Sequence, residues 1–389
     1  MNSATPHVLI FGTSVRAAAF SALRAGLSPW CVDLFADVDL RKRCPAMRLS
    51  GRYPLGFLDV VSRDVPGPWM YTGGLENHPL LVGQMQARRR LWGNGPAALV
   101  RVRDPELLAG AASSSGLPAP ALTPSGHVVP SGAWLLKPRA GAGGSGIRHA
   151  VPGELIPTGW YAQEFVAGTP AAALFVAIAG RSIYLGLTRQ LVGEAWLNAP
   201  AFRYCGSIGT VEPSSALAER LRHLGALLTH RAGLLGLFGV DGLLDGDTFR
   251  PVEVNPRYSA SVEVVELSTG VRALDLHRRA FEDVPGPLPS LSQTGRIVGK
   301  AIVYAPAGGV FPEAGPWLDG LGRHGLDAIP DYGDIPHPGE RLVAGHPILT
   351  VFASGATLEE CERALRERSS SVMRQLYPNV VYPEERENP

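Results

Sequence analysis

Hydrophobic positions at the start of the chain switch between the two-residue period of strands and the longer period of helices. His7–Phe11 is short, apolar and β-prone, residues 15–25 favour a helix that Ser14 can cap, and residues 30–34 resume strand character. This order predicts two parallel strands joined by a crossover helix. The intervening turn, residues 12–17, lacks the second and third glycines of a dinucleotide-binding turn, so we expect it to serve as scaffold.

Two stretches rich in Gly, Pro, Ser and Ala interrupt this pattern further along, at residues 93–132 and 284–293. Such composition is typical of domain boundaries. Beyond the second stretch, residues 296–304 favour a strand and residues 357–377 favour a closing helix. At ~100–200 residues per domain, a chain of 389 residues fits two or three domains. We therefore expect an N-terminal domain over residues 1–95, a central domain over 96–290 and a small C-terminal domain over 291–389.

Composition narrows the class of protein. Hydrophobic residues make up 45% and charged residues 18% of the chain, which excludes a wholly disordered protein. The 36 Lys and Arg balance 35 Asp and Glu, so no basic excess points to nucleic acid or an anionic membrane. The apolar run at residues 171–179 is far shorter than the ~20 residues of a membrane span, and the first residues do not resemble a signal peptide. The four cysteines form no paired motif, so we expect a cytoplasmic protein without a disulfide framework or zinc ribbon.

A glycine-rich loop follows a short apolar strand that ends in Lys137. Its residues of interest are Gly141, Gly143, Gly144, Ser145 and Gly146. No helix follows, as a dinucleotide turn requires, and no Gly-Lys-Ser/Thr ending marks a P-loop. Residues 147–151 return to strand character, and such a hairpin can fold its backbone amides over phosphates beside the Lys137 charge. Taken alone, a flexible surface turn explains the loop equally well.

Residues 239–257 are the most informative stretch, because two β-prone runs flank an Asp-Gly-Asp turn at residues 245–247. The pattern predicts a hairpin whose register places Asp241 opposite Glu253. Two carboxylates that face each other across strands destabilise the pair unless a positive charge lies between them. The alternative is a solvated polar face of an edge hairpin.

The alternation of side chains in the second strand of this hairpin separates two faces. Val252 and Val254 are expected on one face, and Glu253, Asn255 and Arg257 on the other. Carboxylate and amide oxygens suit a hard cation such as Mg²⁺. A guanidinium on the same face can stabilise a phosphoryl group in transfer or an oxyanion. The second face therefore predicts a metal site with an adjacent cationic side chain.

Three motifs stand in a fixed order: Lys137 with its glycine loop, residues 161–168, and residues 253–257. This order, with the twelve-residue spacing from Asp241 to Glu253, resembles the ATP-grasp superfamily, whose members join carboxylates to amines with ATP. The resemblance covers residues 95–285 most strongly. It implies a mixed fold, α/β and α+β, in which an ATP-grasp domain lies between an N-terminal Rossmann-like domain and a small C-terminal closing domain.

Carried across motif by motif, the resemblance implies a site for ATP and for one or two Mg²⁺ or Mn²⁺ ions. The implied nucleotide-binding residues are Lys137, Gly141, Gly143, Gly144, Ser145, Gly146, Gln163, Glu164, Phe165 and Val166. Among these, Glu164 and Val166 meet adenine through backbone groups, and Gln163 contacts its amino group. The implied metal ligands are Asp241, Glu253 and Asn255, and the implied catalytic residues are Lys137 and Arg257.

The chain departs from the family pattern at two places. Pro105 stands where the family often carries its first phosphate-binding lysine, which leaves Arg101 or Arg103 as nearby cations. Residues 169–172 lack the acidic residue that commonly helps to hold ribose. Arg203 is a candidate for binding a substrate carboxylate and equally for a structural salt bridge. Nucleotide binding tolerates these changes more easily than a detailed catalytic assignment does.

The resemblance implies an ATP-dependent ligase that joins a small carboxylate to a small amine through an acyl phosphate, with a homodimer as one expected assembly. Residues 12–17 and 33–39 resemble members linked to one-carbon cofactor synthesis, for which tyramine–glutamate ligation is one suggested reaction. A phosphotransferase, or an ATP-binding protein without catalysis, is the alternative that the proline at position 105 motivates. A dinucleotide oxidoreductase is the third candidate, and its glycine pattern is too sparse.

Overall fold

The computed structural model describes residues 7–282, 295–322 and 325–379. In these ranges the helices are α1 (Arg16–Arg24), α2 (Val38–Arg41), α3 (Phe57–Val61), α4 (Pro79–Gln86), α5 (Pro96–Val102), α6 (Pro105–Ser114), α7 (Ser215–Ala232), α8 (Ala260–Thr269), α9 (Ala273–Glu282) and α10 (Leu358–Leu376). The strands are β1 (His7–Phe11), β2 (Ser28–Asp33), β3 (Ala46–Arg48), β4 (Trp69–Tyr71), β5 (Leu122–Pro124), β6 (Trp134–Pro138), β7 (Arg148–His149), β8 (Trp160–Glu164), β9 (Thr169–Ile178), β10 (Arg181–Val192), β11 (Tyr204–Val211), β12 (Gly236–Asp245), β13 (Thr248–Asn255), β14 (Ile297–Tyr304), β15 (Gly309–Val310), β16 (Tyr332–Gly333), β17 (Arg341–Leu342) and β18 (Pro347–Gly355).

The first four strands form a parallel sheet in the order β3-β2-β1-β4. The chain runs from β1 through α1 into β2, so the predicted strand–helix–strand unit is confirmed. Helix α1 buries Ala18, Ala19 and Ala22 in the same apolar cluster as Val8 and Ile10 of β1. Small alanine side chains let the helix lie close to the sheet, and the carboxyl ends of β1 and β2 then point to one edge.

The predicted cap of α1 is wrong. The helix begins at Arg16 with Val15 as the N-cap residue and no side-chain cap, and the Ser14 hydroxyl lies 3.5 Å from Oδ1 of Asp334. Instead, Oδ2 of Asp33 accepts a hydrogen bond of 3.0 Å from the backbone N–H of Val15. In many proteins a serine next to the helix accepts hydrogen bonds from the free N–H groups of the first turn. Here the carboxylate at the end of the neighbouring strand accepts such a bond instead.

An eight-stranded sheet in the order β13-β12-β9-β10-β11-β14-β18-β16 forms the centre of the molecule. Strand β9 is buried on both faces: Leu174 and Val176 pack in the cluster that includes α1 and α9, while Phe175 packs in the cluster that includes α7. Period-two alternation of the strand produces this division. Strand β14 pairs with β11, so β14, β18 and β16 continue the central sheet, whereas β15 and β17 form a separate two-stranded sheet. The predicted domain limit at residues 95/96 remains a prediction, and the limit at 290/291 lies outside the described residues.

A smaller sheet in the order β5-β8-β6-β7 carries the glycine loop. Strands β6 and β7 pair antiparallel, with Leu135 opposite His149 and Leu136 opposite Arg148, so the predicted strand–loop–strand hairpin is confirmed. Its own apolar cluster contains Val129, Leu136, Ile156 and Ala162. The loop between β6 and β7 therefore projects from a separately packed sheet.

Strands β12 and β13 form the predicted acidic hairpin, with Asp241 opposite Glu253. The pairing then shifts, because Gly242 lies opposite Pro251 and leaves Val252 as an extra residue on β13. A bulge of this kind turns the side chains beyond it to the other face. As a result, Val252 lines the cavity together with Glu253, and the prediction that it shares the face of Val254 is wrong.

The end of the chain follows the predicted pattern. The strand predicted at residues 296–304 corresponds to β14, and the closing helix corresponds to α10. Thr357 caps α10 and accepts a hydrogen bond of 3.2 Å from the backbone N–H of Glu360. Among the helices of the described ranges, none is both long and apolar enough to cross a bilayer.

Candidate functional site

A cavity of about 710 Å³ lies between the small sheet and the central sheet. It is lined by predicted site residues from both: Lys137, Gly143, Gly144, Gln163, Glu164, Phe165, Val166, Asp241, Glu253, Asn255 and Arg257. Gly141 and Ser145 line a smaller adjoining cavity of about 40 Å³, and Gly146 lines neither. The structure thus brings together residues that lie as far apart in the chain as 137 and 257.

The glycine loop adopts backbone conformations that favour glycine. Gly143, Gly144 and Gly146 have φ of 57°, 78° and 81°, in the left-handed region. A Cβ on Gly144 would lie 1.7 Å from the carbonyl oxygen of Phe202, and the backbone N–H of Tyr204 donates to the Gly143 carbonyl at 3.4 Å. Contact with the segment before β11 therefore holds the loop over the cavity.

Lys137 is 7% exposed and has neutral hydrogen-bond acceptors. Its ammonium donates to Oε1 of Gln163 at 3.1 Å and to the Val252 carbonyl at 3.5 Å. Within the described ranges, no carboxylate lies within ion-pair distance of this lysine. A buried ammonium without a counter-ion is costly, so an anionic ligand such as phosphate is its natural complement.

Asp241 faces Glu253 across the hairpin as predicted. Burial, and then the charge of Glu253, raise the pKa of Asp241 to about 6. Nδ2 of Asn255 donates to Oδ2 of Asp241 at 2.8 Å, and Nε2 of Gln190 donates to Oδ1 at 3.0 Å. Sequence reasoning missed Gln190. The available signal was weak, because Gln190 is one of several polar residues of β10, next to Arg189.

Arg257 is held by an acidic residue from the N-terminal part of the chain. Its Nε donates to Oε1 of Glu76 at 2.8 Å, and its Nη2 donates to Oδ1 of Asn255 at 3.0 Å. Burial alone would lower the pKa of Arg257, but the charge of Glu76 and then those of Glu253 and Asp241 raise it. The guanidinium therefore stays charged beside the carboxylate pair. The sequence carried no signal for Glu76, which approaches from the turn after β4.

One of the two arginines near Pro105 reaches the site. Nη1 of Arg103 lies 3.4 Å from Oε1 of Glu253, and its Nη2 lies close to Oδ1 of Asn77. Nε of Arg101 instead donates at 3.0 Å to the Ala232 carbonyl at the end of α7. Arg103, together with Lys137, therefore supplies positive charge on the side of the cavity that adjoins the glycine loop.

The strand predicted to meet adenine borders the cavity. Gln163 is 5% exposed, whereas Glu164 is exposed and its Oε2 accepts from the Ala121 N–H at 3.0 Å. The Phe165 ring lies 5.4 Å from the His149 ring, which in turn lies 5.4 Å from the Phe202 ring. These rings connect the strand to the segment that contacts the glycine loop.

The candidate Arg203 and two further polar residues, Cys205 and His277, lie apart from the cavity. Arg203 does not line it, although its neighbours in the chain, Phe202 and Tyr204, do. Cys205 is buried, and burial raises the pKa of its thiol to about 12. His277 is buried, with its ring nitrogens bonded to backbone groups of Leu237 and Trp92. Among the described residues, no group of three or more His, Cys, Asp or Glu side chains is arranged to hold a metal ion, so the candidate metal site rests on two carboxylates and an amide.

Residues 107–261 match the family model of the ATP-grasp domain. The chain therefore carries an ATP-grasp domain, and the predicted family and fold class are confirmed. The matched segment contains the glycine loop, the β8 strand and the acidic hairpin. It ends shortly after Arg257, so every predicted site residue lies within it.

Similar proteins include one curated relative and several solved structures. The formate-dependent phosphoribosylglycinamide formyltransferase of Nitratidesulfovibrio vulgaris (strain DSM 19637 / Miyazaki F) is 28% identical over 165 residues, which are 42% of this chain and 39% of that protein. The crystal structure of an L-amino acid ligase from Bacillus licheniformis has a TM-score of 0.67 at 18% identity, over 95% of this chain and 98% of the other. The biotin carboxylase domain dimer of Hydrogenobacter thermophilus 2-oxoglutarate carboxylase, in complex with MgADP, ADP and bicarbonate, has a TM-score of 0.67 at 12% identity, over 98% and 91%. At these identities the structural likeness shows the fold alone.

Proposed function

We propose that this protein is an ATP-dependent ligase that joins a small carboxylate to a small amine. One observation carries the proposal: a glycine loop with the buried Lys137 faces the Asp241–Glu253 pair across a single cavity, with Arg257 beside the pair. The ATP-grasp domain and the ligase among the similar structures support an enzyme that forms carbon–nitrogen bonds. The formyltransferase matches this chain over only 39% of its own length, so it supports the presence of a shared domain rather than a particular substrate.

The nucleotide is expected to occupy the large cavity. Lys137 and the glycine loop supply an ammonium and backbone amides for phosphate oxygens. Gln163, Glu164, Phe165 and Val166 border the same space at the end of β8 and are proposed to hold adenine. A solved structure of similar fold contains MgADP, which supports nucleotide binding by this fold.

The donor set at the hairpin fits a hard cation, for which we propose Mg²⁺ or Mn²⁺. The pKa of Asp241 is raised in part because Glu253 repels it, and a divalent cation between the two would relieve this repulsion. Asp241, Glu253 and Asn255 are the proposed ligands, and the Asn255 side chain would turn its oxygen from Arg257 to the ion. A metal bound here would neutralise phosphate charge.

The remaining groups suggest how the chain contributes to the reaction. The guanidinium of Arg257 lies beside the carboxylate pair, where it can stabilise negative charge that develops during phosphoryl transfer to a carboxylate substrate. The amine then attacks the acyl phosphate, and phosphate leaves as the amide forms. Lys137 is buried and the Arg257 side chain is 12% exposed, so a ligand that fills the cavity would exclude water from these charges and strengthen their effect.

We propose a role in one-carbon cofactor synthesis, of the tyramine–glutamate ligase kind, from the resemblance of residues 12–17 and 33–39, and the formate-dependent relative is compatible with one-carbon chemistry. A homodimer is proposed because one similar structure is a dimer. We further propose three domains with the predicted limits and a cytoplasmic location.

The test is ADP release in a coupled assay with Mg²⁺, ATP and panels of carboxylates and amines. We expect ADP release that requires both substrates, and Glu253→Ala should abolish it because the paired carboxylates are needed for the metal. Asp247→Ala, on the exposed turn of the same hairpin, serves as the matched control and should retain activity. ADP release without an amine would instead favour a phosphotransferase, and tight ATP binding without turnover a non-catalytic protein. Near-normal activity of Glu253→Ala would refute the metal assignment.

A further inference from the structure

A second cavity, of about 200 Å³, shares no lining residue with the nucleotide cavity. It lies between the turns that follow β1 and β2 and the strands β16 to β18. One wall is apolar and includes Phe35, Ile302, Leu342 and Ile348. Since a water molecule needs roughly 10–15 Å³ of such space, this cavity can hold an organic group of several non-hydrogen atoms.

Asp37 lines this cavity and lacks a partner for one oxygen. The residue is 5% exposed, and its fully buried Oδ2 has no hydrogen-bond partner among the described residues. Although Asp37 precedes α2 as its N-cap residue, its side chain makes no capping bond. Burial, and then the charges of Asp334, Asp39 and Asp33, raise its pKa well above the usual range. A cation bound beside Asp37 would relieve this crowding of negative charge and favour the ionised carboxylate.

The nearest cationic side chain is already engaged by other carboxylates. Arg16 forms two hydrogen bonds to Glu263, of 2.6 and 2.8 Å, and its Nε donates to Asp334 at 3.0 Å. Asp334, which also lines the cavity, accepts from Thr350 at 2.5 Å. The polar end of the cavity is thus rich in carboxylates and poor in donors that remain available to Asp37.

The other charged groups of the cavity lie at its outer part. Arg341 and His346 are exposed, and Glu340 is bound by Arg48 through two hydrogen bonds of 2.8 and 2.9 Å. Val343, 47% exposed, also belongs to this outer part. The cavity therefore combines an acidic inner end with an apolar wall, and its basic groups are on the solvent side.

We propose that this cavity binds a small organic cation, an ammonium group carried on a short apolar body. The ammonium would donate to Asp37 and Asp334, and the body would lie on the wall formed by Phe35, Ile302 and Ile348. An inorganic cation suits the cavity less, because hard ions require six or more oxygen ligands and one wall offers none. The proposal rests on this cavity alone and does not depend on the ligase activity.

The test is isothermal titration calorimetry of the full-length protein in an amine-free buffer at pH 7.5. Benzylamine is the cationic probe, and benzyl alcohol and benzoate are its neutral and anionic counterparts of similar shape. We expect benzylamine to bind at one site per chain, with and without MgADP, and the other two to bind at least about tenfold more weakly, as hydrogen bonds to charged groups imply.

Two variants locate the binding. Asp37→Asn removes the charge without changing shape or a helix cap, and should weaken benzylamine binding about tenfold or more. Asp59→Asn makes the same change at an exposed position of the N-terminal part and should leave binding unchanged. Val343→Trp, at a half-exposed position, should obstruct the cavity without disturbing the core.

Four results would overturn the proposal. They are no binding of benzylamine at millimolar concentration, equal binding of benzyl alcohol, tighter binding of benzoate, or binding that Asp37→Asn and Val343→Trp both leave intact. Loss of ATP binding in Glu253→Ala has no bearing on these outcomes, so failure of this proposal and failure of the ligase proposal are distinguishable.

Discussion

Replacement of Lys137 by methionine tests the central element of the site. Lys137 is 7% exposed, and methionine keeps its length and apolar stem but removes the ammonium that donates to Gln163 and to the Val252 carbonyl. Removal of the buried ammonium stabilises the ligand-free protein, because burying that charge costs several kcal/mol. Removal also leaves the Gln163 oxygen without a hydrogen-bond donor, which destabilises the protein by ~1–3 kcal/mol. Because these contributions oppose each other, we expect the ligand-free variant to remain folded.

The effect on nucleotide binding should be large. A hydrogen bond from an ammonium to a charged partner contributes ~1.5–3 kcal/mol, so the dissociation constant of MgATP should rise about 10- to 150-fold. A ligand at a hundred times its dissociation constant stabilises a protein by ~2.7 kcal/mol, and a hundredfold loss of affinity reduces this to about 0.4 kcal/mol. The thermal shift produced by MgATP in the wild type should therefore nearly vanish in Lys137→Met.

The assay is a thermal-shift series with increasing MgATP, confirmed by calorimetric titration. The other two lysines of the chain provide controls: Lys42 is exposed, and Lys300 is buried but forms an ion pair of 2.9 Å with Glu263. Lys42→Met should retain the full shift, and Lys300→Met should lower the stability of the ligand-free protein without changing the affinity. A full MgATP shift in Lys137→Met would show that Lys137 does not meet the phosphates and would refute the reasoning.

Three further predictions concern the same cavity. The pKa of Asp241 is raised from its unfolded value of 3.8 to about 6, so the free energy of unfolding should fall as pH rises from about 4 to 6, and urea titrations should show a smaller fall in Asp241→Asn. Mn²⁺ binding, followed by electron paramagnetic resonance, should strengthen over the same pH range, and a pH-independent affinity would contradict the metal assignment. Arg103→Ala should weaken MgATP binding by about tenfold, as loss of a charged phosphate contact implies. The guanidinium of Arg101 faces α7, so Arg101→Ala should leave the affinity measured by calorimetry unchanged. Equal effects of the two substitutions would refute a role for Arg103. Gly144→Ala should abolish ADP release, because the new Cβ would lie 1.7 Å from the carbonyl oxygen of Phe202. In Gly141→Ala the new Cβ would lie 3.2 Å from the ring of Pro138, so this variant should retain part of the activity. A fully active Gly144→Ala would show that the loop is not held as described.

Local signals in the sequence were sufficient for the acidic hairpin. Its Asp-Gly-Asp turn and the two flanking β-prone runs specify both the strands and the pairing of Asp241 with Glu253, because a tight turn dictates register. The bulge at Val252 escaped prediction because nothing in a period-two pattern marks an extra residue. The cap of α1 escaped for a related reason: Asp33 replaces the adjacent Ser14 only because β2 returns beside β1.

The sequence by itself determined the elements whose interactions are short in range, together with the chemistry that they carry. The strand–loop–strand hairpin that carries Lys137 and the acidic hairpin each follow from neighbours in the chain, and their order indicated the domain family. The tertiary structure decided which distant groups complete the site. Glu76 holds Arg257 and Arg103 reaches Glu253, because the turn after β4 and the end of α5 pack against the hairpin. Such contacts join residues that are far apart in the sequence, so they depend on how sheets and helices pack and cannot be read from the local spacing of residues.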